Sequence, residues 1–302
     1  MQRLSAKYAG ADQGKVTRVF GANFIGRMSG KVVEAFVAKA DLLAASPAYS
    51  DQSGVDWKTA AASAAKVLNH IGGVDGMDPT GWTWYCNVDD IEKLSPTESP
   101  AEILWRGERA KSLSLEEDNF PPTLYGNGRI NPFPMLNGYP VSHLSGEYDE
   151  NLPYADRDPR LEAYILYNGC KAGNTNKEIF TAADGTTNDA LNKVVGRSTR
   201  TGYYLRKLLR QDISLDPNAK ADQYHYTPRI RYTEIFLAYA EAANQAYGPQ
   251  DKGGNGYSAY DVVKKLRHRA GIGRDNGDAY LESIKNDQAK MAELIRNERR
   301  IE

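Results

Sequence analysis

The sequence predicts a mainly α protein, with helical hairpins at both ends and a loop-rich middle region containing short strands. Three observations predict it. Apolar residues recur at i, i+3, i+4 and i+7 over 31–45 and again over much of 232–301. Capping residues and Gly or Pro stops bracket those stretches. Between 74 and 225 the periodic runs are short, and most of the Pro and three of the four Trp residues collect there.

Taken in order, residues 1–25 are polar and irregular, and a loop or short helical turns are expected. The run "KVVEAFVAKADLLAA" (31–45) places Val33, Phe36, Val37, Ala40 and Ala44 on one face, and Ser46-Pro47 stops it. Asp56 caps a second helix, "WKTAAASAAKVLNHI", which runs into Gly72-Gly73, so 26–73 forms a hairpin. In 74–225, "EILWRGE" (102–108) and "RLEAYILYNG" (160–169) read as strands or short helices. From 226 on, a helix buries Ile235, Ala238, Tyr239, Ala242 and Ala246 and ends at Gly248-Pro249. Ser258 caps the next helix, whose inner face is Ala259, Val262, Val263, Leu266 and Ala270. Gly271 sits at its left-handed C′ position and Ile272 follows with an apolar contact. Asp278 caps a third helix, expected to bury Leu281, Ile284, Gln288, Met291 and Ile295. Such hairpins resemble tetratricopeptide (TPR) units, without a clean repeat signature.

The chain has 302 residues, enough for one large core or two smaller ones. A net charge of −1 leaves no basic surplus to displace counterions, which argues against a nucleic-acid partner. Lys and Arg are spread along the helices, a pattern that reads as solvated faces. No run of 18 apolar residues offers a transmembrane helix, and the opening "MQRLSAKYAG" has no apolar core of a signal peptide. Cys86 and Cys170 lack C-x-x-C spacing and the four His are scattered, so neither a metal nor a cofactor is expected. A Cys86–Cys170 disulfide stays open.

The 19 Tyr and 4 Trp against 7 Phe favour side chains that pair a flat apolar face with a polar edge. In "PTGWTWYCN" (79–87), an extended strand would turn Trp82 and Trp84 to one face, with Tyr85 and Asn87 beside them. Such rings either stack on a pyranose chain or plug a seam between helix layers. The loop "GEYDENLPYADRDPR" (146–160) carries Tyr148, Asp149 and Asn151, either as ligand contacts or as a solvated loop. Its Arg157, Asp158 and Arg160 are expected to organise the turn. No G-x-S-x-G, H-E-x-x-H or P-loop is present, and no enzyme activity is expected.

Four segments carry a resemblance to a known family: "GRMSGKVVEAFVAKADLLAASPAYS" (26–50), "PYADRDPRLEAYILYNG" (153–169), "TGYYLRKLL" (201–209) and the C-terminal helices of 226–302. In order and phasing they resemble the SusD/RagB family of nutrient-binding outer-membrane lipoproteins. The resemblance implies a single SusD-like α-α superhelix over 1–302, with 74–225 as the ligand-binding region. It implies non-catalytic capture of oligosaccharides at the outer-membrane surface and delivery to a SusC-like TonB-dependent transporter. It also implies a fragment, because the family's signal peptide, lipid-bearing Cys and first helices have no counterpart here, and the family continues beyond "ERRIE". Membrane contact would come only through that lipid anchor, absent from this chain. Capture of peptides, as by RagB-like members, and a helical-repeat scaffold binding protein partners are the alternatives.

Overall fold

A computed structural model describes residues 28–85, 91–92, 99–119, 121 and 130–302. The expectation for residues 1–25 lies outside them. The first hairpin is α1 (Gly30–Ala44) and α2 (Trp57–Leu68). Asp56 caps α2 as expected, accepting from the Thr59 N–H, and Ser29, which the sequence reading did not single out, caps α1 by accepting from the Val32 N–H. After the middle region come α5 (Tyr232–Tyr247), α6 (Ala259–Arg269), α7 (Ala279–Ile284) and α8 (Gln288–Ile301). No helix among the described residues is long and apolar enough to cross a membrane.

Helix α5 is the central pillar, packed by α1, α2, α6 and α8. It can be surrounded because its neighbours meet small residues: Ala238, Ala240, Ala242 and Ala243 on α5 and Ala60, Ala61, Ala64 and Ala65 on α2 are all buried. Alanine lets helix axes approach closely while contributing no side-chain entropy loss.

Two sequence expectations are corrected. On α1 the inward face is Val32, Ala35 and Ala38, while Val33, Phe36 and Val37 are 41–47% exposed. Two overlapping apolar stripes exist on this helix, and the smaller one fits the alanine surface of α2. Phe36 instead leans edge-on against Trp105, with ring centroids 5.8 Å apart. The expected third helix is two helices, because Asp287 caps α8 by accepting from Lys290 N–H. Gln288 is therefore exposed at the start of α8, although Leu281, Ile284, Met291 and Ile295 are buried as expected.

The middle region contains β1 (Ile103–Ser112), α3 (Ser114–Asn119), α4 (Pro159–Tyr164), the two-residue strands β2 (Ile165–Leu166), β3 (Lys171–Ala172), β4 (Lys177–Glu178) and β5 (Tyr204–Leu205), and β6 (Gln223–Arg231). β1 and β6 form an antiparallel ribbon with Trp105 opposite Ile230 and Arg109 opposite Tyr226; β2 pairs with β5 and β3 with β4. A second apolar cluster lies here, built from Trp84, Tyr85, Ile103, Phe133, Leu161, Tyr164, Tyr226 and Ile301. A third gathers Leu166, Cys170, Ala172, Ile179 and Tyr204.

A buried ionic network joins this region to the helices, contrary to the reading of the basic residues as solvated. Arg160 of α4 pairs with Asp158 (2.8 Å), Glu298 (2.8 Å) and Glu302 (3.0 Å), and its side chain is fully buried. Arg231 bridges Glu102 (3.0 Å) and Glu302 (3.1 Å), and Arg269 reaches the same two carboxylates at 3.3 Å. Arg267 binds Asp278 (2.6 Å) and Glu298 (2.9 Å) and donates to the Gly138 carbonyl (2.8 Å). Lys207 donates to the backbone carbonyls of Ile301 and Glu302. Burial by itself would raise the Glu302 carboxyl, but Arg269, Arg160, Arg231 and Lys207 hold it well below the ordinary value of 4.5. Burial pushes the Lys207 ammonium down to about 8.

Two stability predictions follow from these features. Gly271 has φ +98°, and with Ile272 it closes α6 through Gly271 N–H to His268 O and Ile272 N–H to Arg267 O. Gly271→Ala places a Cβ in the left-handed region and is expected to lower stability by about 1–2 kcal/mol in urea unfolding. Arg160→Met strands the buried Asp158 carboxylate and takes one cation from Glu298 and Glu302, which keep Arg267 and the Arg231 and Arg269 pair, and is expected to cost about 3–5 kcal/mol at pH 7. Stranded carboxylates bind protons more tightly when folded, so the variant gains stability as pH falls. The wild type loses the Glu302 contribution as pH drops below 4.5. The gap between the two therefore narrows in acid, and a gap that widens between pH 7 and pH 4 would overturn the assignment.

Candidate functional site

The first candidate corner begins at a turn. Asp78 Oδ1 accepts from the Thr80 N–H (2.9 Å) and hydroxyl (3.0 Å), and Gly81–Thr83 then winds as a 3₁₀ turn. The extended strand expected here is therefore not formed, because Asp-Pro-Thr-Gly turn chemistry closes the backbone first. Trp82 and Trp84 consequently do not line up on one strand face. Trp82 is half-buried and its carbonyl accepts from the Tyr164 hydroxyl at 2.7 Å. Trp84 and Tyr85 are each only 5% exposed. The Trp84 ring meets Tyr85 at 5.7 Å and Tyr226 at 5.6 Å between centroids, and the Arg231 guanidinium lies 5.7 Å from it. Asn87, like Cys86, lies outside the described residues.

Trp84 and Tyr85 form part of the wall of a cavity of about 410 Å³. Leu115, Leu208, Tyr226 and Pro228 are among its other apolar lining residues, with Glu108 and His225 among the polar groups. The buried Trp84 indole N–H has no hydrogen-bond partner among the described residues. Beside the cavity, His225 Nε2 faces the buried Glu116 carboxylate at 3.3 Å. The β6 contribution, Tyr226 and His225, escaped the sequence reading. Its one signal was the Tyr-rich alternation in "QYHYTP" (223–228).

The second candidate is the 146–160 loop. Asp149 Oδ1 accepts from both the N–H (2.8 Å) and the side-chain amide (3.0 Å) of Asn151, so these exposed residues build their own Asx turn. Tyr148 lies over Arg157, 5.6 Å from guanidinium carbon to ring centroid. Arg157 is buried and donates to the carbonyls of Pro153 (2.8 Å), Ile130 (2.8 Å) and Phe133 (2.7 Å), the organising role expected for it. Gly146 and Glu147 border a separate cavity of about 250 Å³ with Asn137, Asp156 and Asn276. Of the sequence-predicted residues, Trp84 and Tyr85 line the first cavity, whereas Trp82, Tyr148, Asp149 and Asn151 line neither, and the structure does not bring the two groups together. Cys170 is a free, buried thiol, raised by burial. No cluster of metal-ligating side chains occurs among the described residues.

The packing of Trp84 sets a stability expectation. Trp84→Ala is predicted to cost about 3–5 kcal/mol in urea unfolding, the range for emptying a buried aromatic site. Trp82→Ala, which removes a half-exposed ring, is expected to cost clearly less in the same assay.

The profile of the SusD family matches residues 127–302, more than half of the chain. No curated protein matches it. Among solved structures, a SusD-like carbohydrate binding protein from Bacteroides fragilis is 22% identical with a TM-score of 0.62, over 91% of this chain and 50% of that one. A second SusD-like protein from Bacteroides fragilis is 20% identical with a TM-score of 0.58, over 93% of this chain and 53% of that one. The chain spans about half the length of these relatives, and at such identity they establish the shared fold. With the mainly α architecture, the two terminal helical layers and the family match over the C-terminal half, this chain belongs to the SusD family.

Proposed function

We propose that this chain captures glycans without cleaving them, at the outer-membrane surface, and passes them to a SusC-like TonB-dependent transporter. Membership of the SusD family carries the reading. The Bacteroides fragilis relative described as a carbohydrate binding protein supports it. The proposed ligand contacts are Trp82, Trp84, Tyr85 and Asn87 at the first corner and Tyr148, Asp149 and Asn151 on the loop. The half-exposed Trp82 offers a flat face for the C–H side of a pyranose. The buried Trp84 N–H, without a partner among the described residues, is costly to leave unsatisfied, by about 1–3 kcal/mol, and a small rotation of the ring would offer it to a sugar hydroxyl. Flexible, hydrated sugars lose freedom on binding, so weak affinity per site is expected.

The burial of Trp84 and Tyr85 favours a second reading, a helical-repeat scaffold for protein partners. The exposed Val33, Phe36, Val37 and Leu43 of α1 would then supply its apolar docking face. Native electrophoresis through gels containing different polysaccharides separates the two. Glycan capture predicts retardation by at least one polysaccharide and a roughly tenfold loss of affinity in Trp82→Ala, equivalent to about 1.4 kcal/mol. A folded protein that no polysaccharide retards would overturn glycan capture and leave peptide capture or the scaffold.

A further inference from the structure

Three turns bring together three aromatic rings that the foregoing sites do not use. Tyr139 follows the Gly138 turn, His143 precedes the 3₁₀ turn Leu144–Gly146, and Tyr280 lies in the first turn of α7. The Tyr139 centroid lies 4.7 Å from that of His143 and 5.7 Å from that of Tyr280, and the remaining pair is 6.3 Å apart. His143 is exposed and both tyrosines are half-buried, so the cluster forms a surface and not a core. Leu144 beside it is 96% exposed.

The polar tips of this cluster are uncommitted. His143 Nδ1 accepts from the Ser145 N–H at 3.1 Å, which leaves the proton of the neutral ring on Nε2. Neither that Nε2 nor the hydroxyls of Tyr139 and Tyr280 bond to a partner among the described residues. The platform is rigid all the same. Arg267, fully buried, donates from Nη2 to both the Gly138 carbonyl and Asp278 Oδ1 and from Nε to Asp278 Oδ2. Asp278 in turn caps α7 by accepting from the Leu281 N–H. Next to the Gly138 and Leu144–Gly146 turns lies the cavity of about 250 Å³, bordered by Asn137 and Gly146 from their flanks, with the carboxylates of Glu147, Asp156 and Asp275 and no cationic side chain among its described lining residues.

We propose that Tyr139, His143 and Tyr280 form a sugar-binding platform, distinct from the Trp82 corner, that selects uncharged glycan segments. The proposal rests on the glycan-capture reading. Ring faces take the C–H side of a pyranose, and the free hydroxyls and imidazole N–H meet its hydroxyl groups. The neighbouring carboxylates accept from further hydroxyls and repel uronic or sulfated sugars, so selectivity comes from repulsion as well as attraction. Fixing the rings in advance reduces the entropy lost on binding.

The test is affinity electrophoresis of the full chain in gels holding neutral polysaccharides (xylan, mannan, glucan) or acidic ones (polygalacturonate, chondroitin sulfate). Tyr139→Ala/Tyr280→Ala, His143→Ala and Trp82→Ala run alongside, each checked by circular dichroism and thermal melting. The platform predicts retardation by a neutral polysaccharide, weakened at least tenfold in the double variant and at least threefold in His143→Ala. If the double variant does not fold, His143→Ala at its exposed turn decides. Wild-type retardation in both Tyr/His variants, with loss only in Trp82→Ala, overturns the platform and leaves glycan capture standing. Retardation by acidic polysaccharides alone overturns the selectivity. No retardation of the wild type in any gel overturns both readings.

Discussion

The structure depends on a buried network of five cations and five carboxylates: Arg160, Lys207, Arg231, Arg267 and Arg269 with Glu102, Asp158, Asp278, Glu298 and Glu302. Each charge taken from water carries a desolvation penalty of several kcal/mol, and only near-complete pairing offsets it. The charges balance within the network, and the guanidinium groups present several donors in fixed planes that carboxylates and carbonyls can fill. A network of this kind adds little net stability over a well-packed apolar core. Its consequence is geometric: an arrangement that left one member unpaired would be heavily penalised.

That geometric demand reaches the surface. Asp158 caps α4 while pairing with Arg160, and Asp278 caps α7 while pairing with Arg267. Helix termini, loop carbonyls and buried charges are thereby satisfied by the same atoms. The exposed turns that carry Tyr139 and Tyr280 therefore inherit the rigidity of the interior. Around this network the helices follow a simpler rule. Alanine-rich faces of α2 and α5 set close approach, and the larger apolar side chains fill the spaces left between α5, α6 and α8.

Long irregular segments in a compact protein usually carry function, and here they are anchored, not loose. Arg157 gathers three carbonyls of the 130–153 stretch, and Arg210 ties β6 to Asp212 and Glu92. The aromatic residues divide accordingly. Trp84, Tyr85, Tyr164 and Tyr226 consolidate the middle region, whereas Trp82, Tyr139, Tyr148 and Tyr280 keep part of a ring at the surface. A ring that packs and a ring that binds look alike in sequence, because both need the same flat apolar face.

The sequence by itself determined the helical class, the caps at Asp56, Ser258, Asp278 and Gly271, the Ala-rich face of α5 and the family resemblance. These are local: a cap or a 3.6-residue period involves residues within one or two turns of each other. Tertiary structure decided the rest. It chose the small stripe of α1 over the large one, since both have helical spacing and only the shape of α2 distinguishes them. It closed the Trp82–Trp84 segment into a turn and sent Trp84 inward, where the expected strand would have put both rings side by side. It also turned apparent surface charges into a buried network, because Glu102 and Arg231 are 129 residues apart and Arg160 and Glu302 are 142 apart. No periodicity links residues at such separations; only the folded chain brings them within bonding distance.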